Sequence, residues 1–339
     1  MVMRSKLNIR FAFHPFSRKQ LQVLFWWQVP KYQDKFAIIC DGSVRAGKTV
    51  VMSLSYVRWA MMQFNGRNEG SKAWFNCNPD SPYHWFKLQW IDELTKKKAI
   101  RIHFLMKDNP SLSKETLERY DSMYSGVFYR RYILGEWAMA DGLVYDNFDR
   151  EKMVADIPKN TVWEKQWISI DYGTQNATVF KLWSSFKGVW YNNAEYYYSG
   201  RETGCQKTDG QYIDDLEDFF FDNRLERRDV QLIVDPSAAS FKKALRNRGF
   251  GVVNANNNVL DGVRFMMTQM NQGKMKWTEA SQHTIKEFGS YMWDKKAADR
   301  GEDAVVKEHD HCMDADRYFA MKVLYTKKRK NIKLRKEGI

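Results

Sequence analysis

Residues 36–49 read FAIICDGSVRAGKT, an apolar run of strand character that breaks into the full phosphate-loop pattern, with Gly42, Gly47, Lys48 and Thr49 at the required spacing. In such a loop the glycines let backbone N–H groups close on phosphate oxygens. The lysine reaches the β- and γ-phosphates, and the threonine hydroxyl holds Mg2+. Arg45 lies within the loop and joins these four as a candidate nucleotide-binding residue, with ATP and Mg2+ as the implied ligands. The flanks suit the motif. Residues 16–28 pattern as a helix leading in, and VVMSLSYVRWAMMQF (50–64) carries apolar positions at helical spacing directly after the loop.

The chain does not go on to build the rest of an ATPase. Only one helix-like stretch and a short Asn/Gly-rich loop separate Thr49 from the next strand, KAWFNCNP (72–79). No apolar run there ends in Asp-Glu. The second acidic Mg2+ ligand and the water-activating carboxylate that phosphoryl transfer uses are therefore missing from their expected place.

At 339 residues the chain is long enough for two cores. It carries no apolar run long enough to span a membrane and no signal-peptide pattern, so the expected location is the cytoplasm, with no membrane partner. Cys40, Cys77, Cys205 and Cys312 are scattered without ligand spacing, which argues against a disulfide framework or a zinc site. The net charge of +13 points to a polyanion, and nucleic acid is the natural candidate. Part of that charge sits in KKRKNIKLRK (327–336), read either as a solvated end or as a DNA-contacting arm.

Beyond the loop, Pro79 and Pro82 break the chain before an amphipathic helix expected from Trp85 to about Lys97, and Ser111 or Ser113 caps a further, exposed helix. The irregular, acidic stretch from Gly142 to Pro158 marks a domain junction. Three strands then follow with short turns, WISIDYG, ATVFKLW and GVWYNNAEYYY, making an antiparallel meander. After a helix near 211–223 come strand VQLIVDP, a helix over 238–248, strand FGVVNA, and helices near 259–272, 278–292 and 310–325. A meander followed by alternating helices and strands is the element order of a ribonuclease-H-like nuclease.

In that order Asp171 and Asp235 each end an apolar strand, and Asp314 lies on the final long helix. Neighbouring strands would bring the first two carboxylates side by side, with Asp314 laid over them. Three hard oxygen donors suit Mg2+ or Mn2+, and two such ions stabilise the attacking water and the leaving 3′-oxygen of a phosphodiester. His311, three residues before Asp314, shares its helix face and is placed as a ligand or proton carrier. Arg317, three residues on, is placed to steady a carboxylate or a phosphate.

These residues resemble the large subunit of phage and prophage DNA-packaging terminases, of the PBSX type. The resemblance spans almost the whole chain and rests on GSVRAGKT (42–49), WFNCNPDSPYHWFK (74–87), GEW (135–137), IDYG (170–173), YYYSGRETGCQKTDGQY (196–212), VDPSAAS (234–240) and DHCMDADRY (310–318). It implies an N-terminal translocating ATPase joined to a C-terminal nuclease that cuts concatemeric DNA. Lys48 and Thr49 would bind ATP and Mg2+, and Asn76 to Pro79 would couple hydrolysis to movement. Asp171, Asp235 and Asp314 would be the nuclease metal ligands, with His311 beside them. Double-stranded DNA, the terminase small subunit and the portal protein of the procapsid would be partners, in the cytoplasm of the bacterial host.

The chain departs from that family at one place. Between the helix after the loop and the strand before NPDSPYHWFK, family members carry further βα units, including the acidic strand. Here Phe64-Asn65-Gly66 runs almost directly into Glu69-Gly70-Ser71-Lys72, and a βαβ unit takes on the order of 30 residues. The expected architecture is therefore α/β, with a truncated P-loop NTPase-like domain (1–140), a linker (141–165), a ribonuclease-H-like nuclease domain (166–326) and a basic tail (327–339). The expected activity is two-metal DNA cleavage with impaired ATP hydrolysis and translocation. The alternative is a non-catalytic DNA- or portal-binding prophage remnant.

Overall fold

The computed structural model describes residues 15–64, 70–173 and 176–325. Two compact units account for them. One comprises the residues up to Ala140 together with Lys295–Asp303, and the other comprises Asp141–Asp294 and the residues from Ala304. The basic tail and its reading as a DNA arm lie outside the described residues.

The first unit is organised by strand β1 (Ala37–Gly42), every residue of which is buried. Strands β2 (Ala73–Asn76) and β3 (Ala99–Phe104) flank it in parallel, in the order β2-β1-β3. One face of the sheet packs Ile38, Cys40, Ile100, Ile102 and Phe104 against Val23, Trp26 and Trp27 from the N-terminal helical region and against Val51 and Met52 of the helix Lys48–Phe64. The other face packs Ala37, Ile39 and Ala99 under Phe86, Ile91 and Trp137. Among the described residues β2 pairs with β1 alone, so its second edge is open. The helix Lys48–Phe64 also leaves Val50, Leu54, Val57 and Met61 exposed, by 62%, 44%, 51% and 63%. Their 4-3-4 spacing makes one continuous apolar stripe on a single helix face.

The expected helix from Trp85 to Lys97 is much shorter. Lys87–Ile91 forms a single π-type turn, and turns follow it up to β3. Phe86 and Trp90 are drawn onto Phe75, with ring centroids 5.5 and 4.5 Å away, and this packing overrides the helical period.

In the second unit, β4 (Lys165–Asp171), β5 (Ala177–Phe186) and β6 (Val189–Ser199) form the antiparallel meander. Strand β7 (Val230–Val234) lies parallel to β4, β8 (Gly251–Asn254) parallel to β7, and β9 (Met275–Trp277) parallel to β6, giving the order β8-β7-β4-β5-β6-β9. One sheet face buries Ile168, Ile170, Leu232 and Val234 against Tyr212, Leu216, Phe241 and Leu245 of the helices Asp209–Asp222 and Ala239–Asn247. On the opposite face Trp183 stacks flat on Phe319 at 4.3 Å and meets Trp277 edge-on. Each such buried ring contributes on the order of 1.5–3 kcal/mol through area removed from water. The arrangement is the ribonuclease-H-like order expected from the sequence.

Two boundaries differ from expectation. Residues 141–165 are part of the second unit: Val144 and Tyr145 are buried, Val144 N–H donates to Tyr291 O, and Leu143 bridges Met292. A stretch that reads as irregular is held by side chains far along the chain. Conversely, Lys295–Asp303, inside the expected nuclease block, belongs to the first unit, where Asp303 pairs with the buried Arg131.

Candidate functional site

The phosphate loop leaves β1 at Gly42, whose φ is +117°. A Cβ there would stand 1.9 Å from Phe104 O, so only glycine lets β1 and β3 end side by side. The loop is tied down by Ser43 N–H to Phe104 O (2.8 Å), Val44 N–H to Tyr132 O (2.9 Å) and Asn109 Nδ2 to Arg45 O (2.8 Å). Arg45 is exposed and lies over the Tyr120 ring. Lys48, buried at the head of its helix, donates to Gly42 O (2.9 Å), Ser43 O (2.6 Å) and Asn78 Oδ1 (3.2 Å). Burial pulls its pKa down to about 8. Thr49 Oγ1 accepts from Asn76 Nδ2 at 2.8 Å.

Lys48 and Thr49 are thus met by the amides of the Asn76–Pro79 segment. Among the described residues no carboxylate hydrogen-bonds to either of them. The nearby acid, Asp41 on β1, is buried and fully engaged: Arg101 clamps it through two bonds of 2.9 and 2.7 Å, and Trp137 Nε1 donates at 2.9 Å. Burial pushes Asp41 up, but the bonds from His103, Arg101 and Trp137 outweigh it and hold the carboxyl well below the usual range. Asp41 is consumed in anchoring GEW (135–137) to the sheet.

In the second unit the strand ends converge as the spacing predicts. Ile170 pairs with Val234 across β4 and β7, so Asp171 and Asp235 follow paired residues on adjacent parallel strands. The helix His311–Phe319 crosses above them. Its residues 311, 314 and 318 recur at i, i+3 and i+7, which places His311, Asp314 and Tyr318 on one face. His311 Nδ1 meets Asp171 Oδ2 at 3.0 Å, and Tyr318 Oη donates to Asp235 Oδ2 at 2.8 Å. Arg317 Nη2 pairs with Asp314 Oδ1 at 2.8 Å. Ser237 N–H completes the set by donating to Asp235 Oδ1 at 2.6 Å.

The two strand-end carboxylates have divergent electrostatics. Burial raises Asp171 to about 6; His311 opposes the rise, and the like charges of Asp314 and Asp310 add to it. Asp235 goes the other way: burial pushes it up, but bonds from Ser237, Tyr318 and Asn257 outweigh that and lower its pKa. Burial pulls His311 down, and its bond to Asp171 more than restores it, so it holds its proton above the ordinary histidine value.

Among the described residues no three His, Cys, Asp or Glu side chains stand close enough together to hold an ion as they are. Each aspartate is instead engaged by a protein partner. The donor chemistry nevertheless fits a hard divalent cation. All three groups are carboxylates, and Asp171 is disfavoured as an anion by burial and by its acidic neighbours. In addition Asp314 Oδ1 is buried and, although Arg317 lies beside it, accepts no well-directed hydrogen bond.

The sequence reading gave Tyr318 no role, and it held Asn78 within the Asn76–Pro79 segment without its contact to Lys48. Tyr318 carries a legible signal, its i+7 spacing from His311. Asn78 carries none beyond its place in NPD, because only the packing of β2 against β1 brings it to Lys48.

Comparison with known proteins places this geometry. Residues 50–152 match the family model described as terminase large subunit, T4likevirus-type, N-terminal. The large terminase of Escherichia phage T5 is 24% identical over 264 residues, covering 73% of this chain and 57% of the T5 protein. The chain therefore spans little more than half the length of that curated relative. The large terminase of a thermophilic bacteriophage, solved in complex with ATP-gamma-S, is 40% identical, with a TM-score of 0.82, covering 92% of this chain and 100% of that one. Another structure of the same thermophilic-phage protein, in a second crystal form, aligns with a TM-score of 0.83 at 39% identity over the same shares. At that identity and coverage, the chain belongs to the bacteriophage large terminase family.

Proposed function

We propose that this chain is a metal-dependent DNA endonuclease of a phage packaging machine, with a nucleotide-binding unit impaired in ATP hydrolysis and translocation. One observation carries the nuclease reading: Asp171 and Asp235 end adjacent parallel strands beneath a helix face that presents His311, Asp314 and Tyr318. Asp171, Asp235 and Asp314 would hold Mg2+ or Mn2+, which when bound supplies charge stabilisation and an activated water for phosphodiester hydrolysis. His311 is oriented by Asp171 through the contact between Nδ1 and Oδ2. Tyr318 and Ser237 fix Asp235 as an anion, and Arg317 holds the Asp314 side chain. His311 also lines a cavity of about 300 Å³ whose wall carries Arg201 and Lys307 beside Glu202 and Glu308.

The impaired-ATPase reading draws on the three-stranded sheet and on the neutral amides around Lys48 and Thr49. The thermophilic-phage relative was solved in complex with ATP-gamma-S, which supports ATP as the ligand here. Duplex DNA, the small subunit and the portal are the partners this reading implies, in the cytoplasm of the bacterial host. No helix among the described residues is long and apolar enough to cross a membrane.

The test is cleavage of supercoiled plasmid in Mn2+ or Mg2+ without ATP, beside Asp171→Asn, together with ATP turnover by wild type and Lys48→Ala. Cleavage lost in Asp171→Asn, with background turnover in both other proteins, supports the proposal. Turnover abolished by Lys48→Ala would sink the impaired-ATPase reading. The alternative, a non-catalytic DNA- or portal-binding remnant, draws on the lack of a preassembled metal cage among the described residues. Equal inertness of folded wild type and Asp171→Asn would establish it.

A further inference from the structure

Among the charged groups buried in the second unit outside the carboxylate set are Lys181 on β5, the Glu195 side chain on β6 and Glu287. Buried charges are costly unless each is closely partnered, so their partners indicate what they are for. Glu195 accepts from the N–H groups of His283 (2.8 Å) and Thr284 (3.2 Å), in the first turn of the helix Gln282–Phe288. Near the other end of that helix, Glu287 Oε2 accepts from the N–H groups of Cys312 (2.8 Å) and Met313 (3.2 Å). Those amides open the helix that bears His311 and Asp314. The residue at that helix's own N-cap position, Asp310, makes no side-chain cap bond. Glu287 therefore does the capping from a different helix, and its charge suits the positive end of the helix dipole.

A second grip lies further along. Lys181 Nζ pairs with Asp316 Oδ1 at 2.5 Å and hydrogen-bonds to Thr284, while Trp277 Nε1 donates to Asp316 Oδ2 at 2.8 Å. Asp316 follows Asp314 by two residues and so points away from the carboxylate cluster, toward the sheet. One grip holds the start of the helix and the other fixes its rotation.

We infer that Glu287 is a positioning residue for the nuclease, setting the first turn of the helix that presents His311 and Asp314, with the Lys181–Asp316 pair setting that helix's rotation. The inference rests on the nuclease reading for its catalytic consequence. Its structural consequence stands apart from that reading.

The experiment compares wild type, Glu287→Ala and Glu287→Gln by hydrogen exchange and by plasmid cleavage in Mn2+. Glutamine keeps an acceptor oxygen for the two amides, whereas alanine removes it. Glu287→Ala should speed exchange at the Cys312 and Met313 amides. Its kcat should fall roughly 10- to 100-fold, the scale of losing a group that orients a ligand, while KM for DNA stays within about twofold. Glu287→Gln should recover most of both losses. Unchanged exchange at 312 and 313, or a glutamine variant no better than alanine, overturns the inference, as does a loss expressed in KM alone. If Glu287→Ala does not fold, the glutamine variant against wild type carries the same comparison, with its smaller kcat deficit and faster exchange at these two amides expected together. Wild-type protein that cuts no DNA fails the nuclease reading and the catalytic half of the inference, and the exchange result then decides the capping half.

Discussion

The two sheets of this molecule solve the same problem with unequal means. The six-stranded sheet covers β4, β5 and β7 on both faces. The three-stranded sheet buries β1 completely but leaves β2 half-covered, with its outer edge unpaired among the described residues. Parallel sheets are normally buried on both faces, and open edges are normally short or protected. The first unit is thus a small parallel sheet with β1 at its centre. Its phosphate loop is shaped by β1, by β3 and the segments behind it, and by Asn76 and Asn78 at the end of β2. Among the described residues the side chains that meet Lys48 and Thr49 are the amides of Asn78 and Asn76.

The chemistry divides the same way. Around Lys48 and Thr49 stand carbonyls and amides, which satisfy a lysine and a hydroxyl at rest but cannot take a proton from water at neutral pH. Around Asp171 and Asp235 stand groups that move carboxylate pKa values in opposite directions. Such separation is found at sites that do acid–base and metal chemistry.

The sharpest way to break this contrast is to exchange the damage between units. Asp171→Asn should reduce plasmid cleavage by roughly 10²- to 10³-fold, the scale of losing a stabilising group at a reacting centre. Lys48→Ala should leave ATP-independent cleavage within experimental error in the same gel assay. Equal loss in both variants would mean that the units do not divide the chemistry as described.

Stability offers the next contrast. Trp183→Ala removes a ring stacked on Phe319 and should cost about 3–5 kcal/mol. Gly42→Ala forces a Cβ against Phe104 O and should cost about 1–3 kcal/mol of backbone strain. Scanning calorimetry should show two transitions, with each variant lowering a different one. A single transition lowered by both would show one cooperative block.

A smaller effect is expected in the pH dependence of cation binding. Asp171 titrates near 6 when folded, above its unfolded value of 3.8. Between those values the unfolded chain loses the proton first, so the stability held by protonated Asp171 falls as pH rises and is gone above about 6. His311, also raised, loses its stabilising pairing as pH climbs through its own folded value, which acts in the same direction. A divalent cation offsets the exposed repulsion only once Asp171 is ionised. Mn2+ should therefore raise the melting temperature of the second unit more at pH 8 than at pH 5, and the reverse order would contradict the assignment of Asp171.

The smallest effect belongs to the apolar stripe. Leu54→Gln replaces a solvent-exposed side chain and should shift the first transition by no more than about 0.5 kcal/mol. A larger loss would mean that something covers the stripe in solution.

Much of the molecule is legible in its sequence. The phosphate loop and the meander follow from short-range pattern, and the adjacency of Asp171 to Asp235 from the order of the elements. Two strands escape such a reading. AIRIHF forms β3 although Arg101 and His103 interrupt its apolar run, because both reach Asp41 on the neighbouring strand. β9 has only three residues and exists by pairing with β6. The helix expected over 278–292 contracts to Gln282–Phe288, where Glu195 holds its start and Glu287 is turned to the helix His311–Phe319.

What the sequence by itself determined is the identity of the chemical groups and the order in which the chain presents them: a glycine-shaped loop ending in Lys48-Thr49, two strand-ending aspartates, and a helix with His311 and Asp314. Those features are local, since φ, strand alternation and helical spacing act over a few residues. Tertiary structure alone decided that Asn76 and Asn78 face the loop, that residues 141–165 pack into the second unit, and that Lys181, Glu195 and Glu287 grip the helix bearing His311 and Asp314. The physical reason is that charge burial and hydrogen-bond satisfaction depend on groups far apart in the chain arriving at the same place, and no short stretch of chain carries that information.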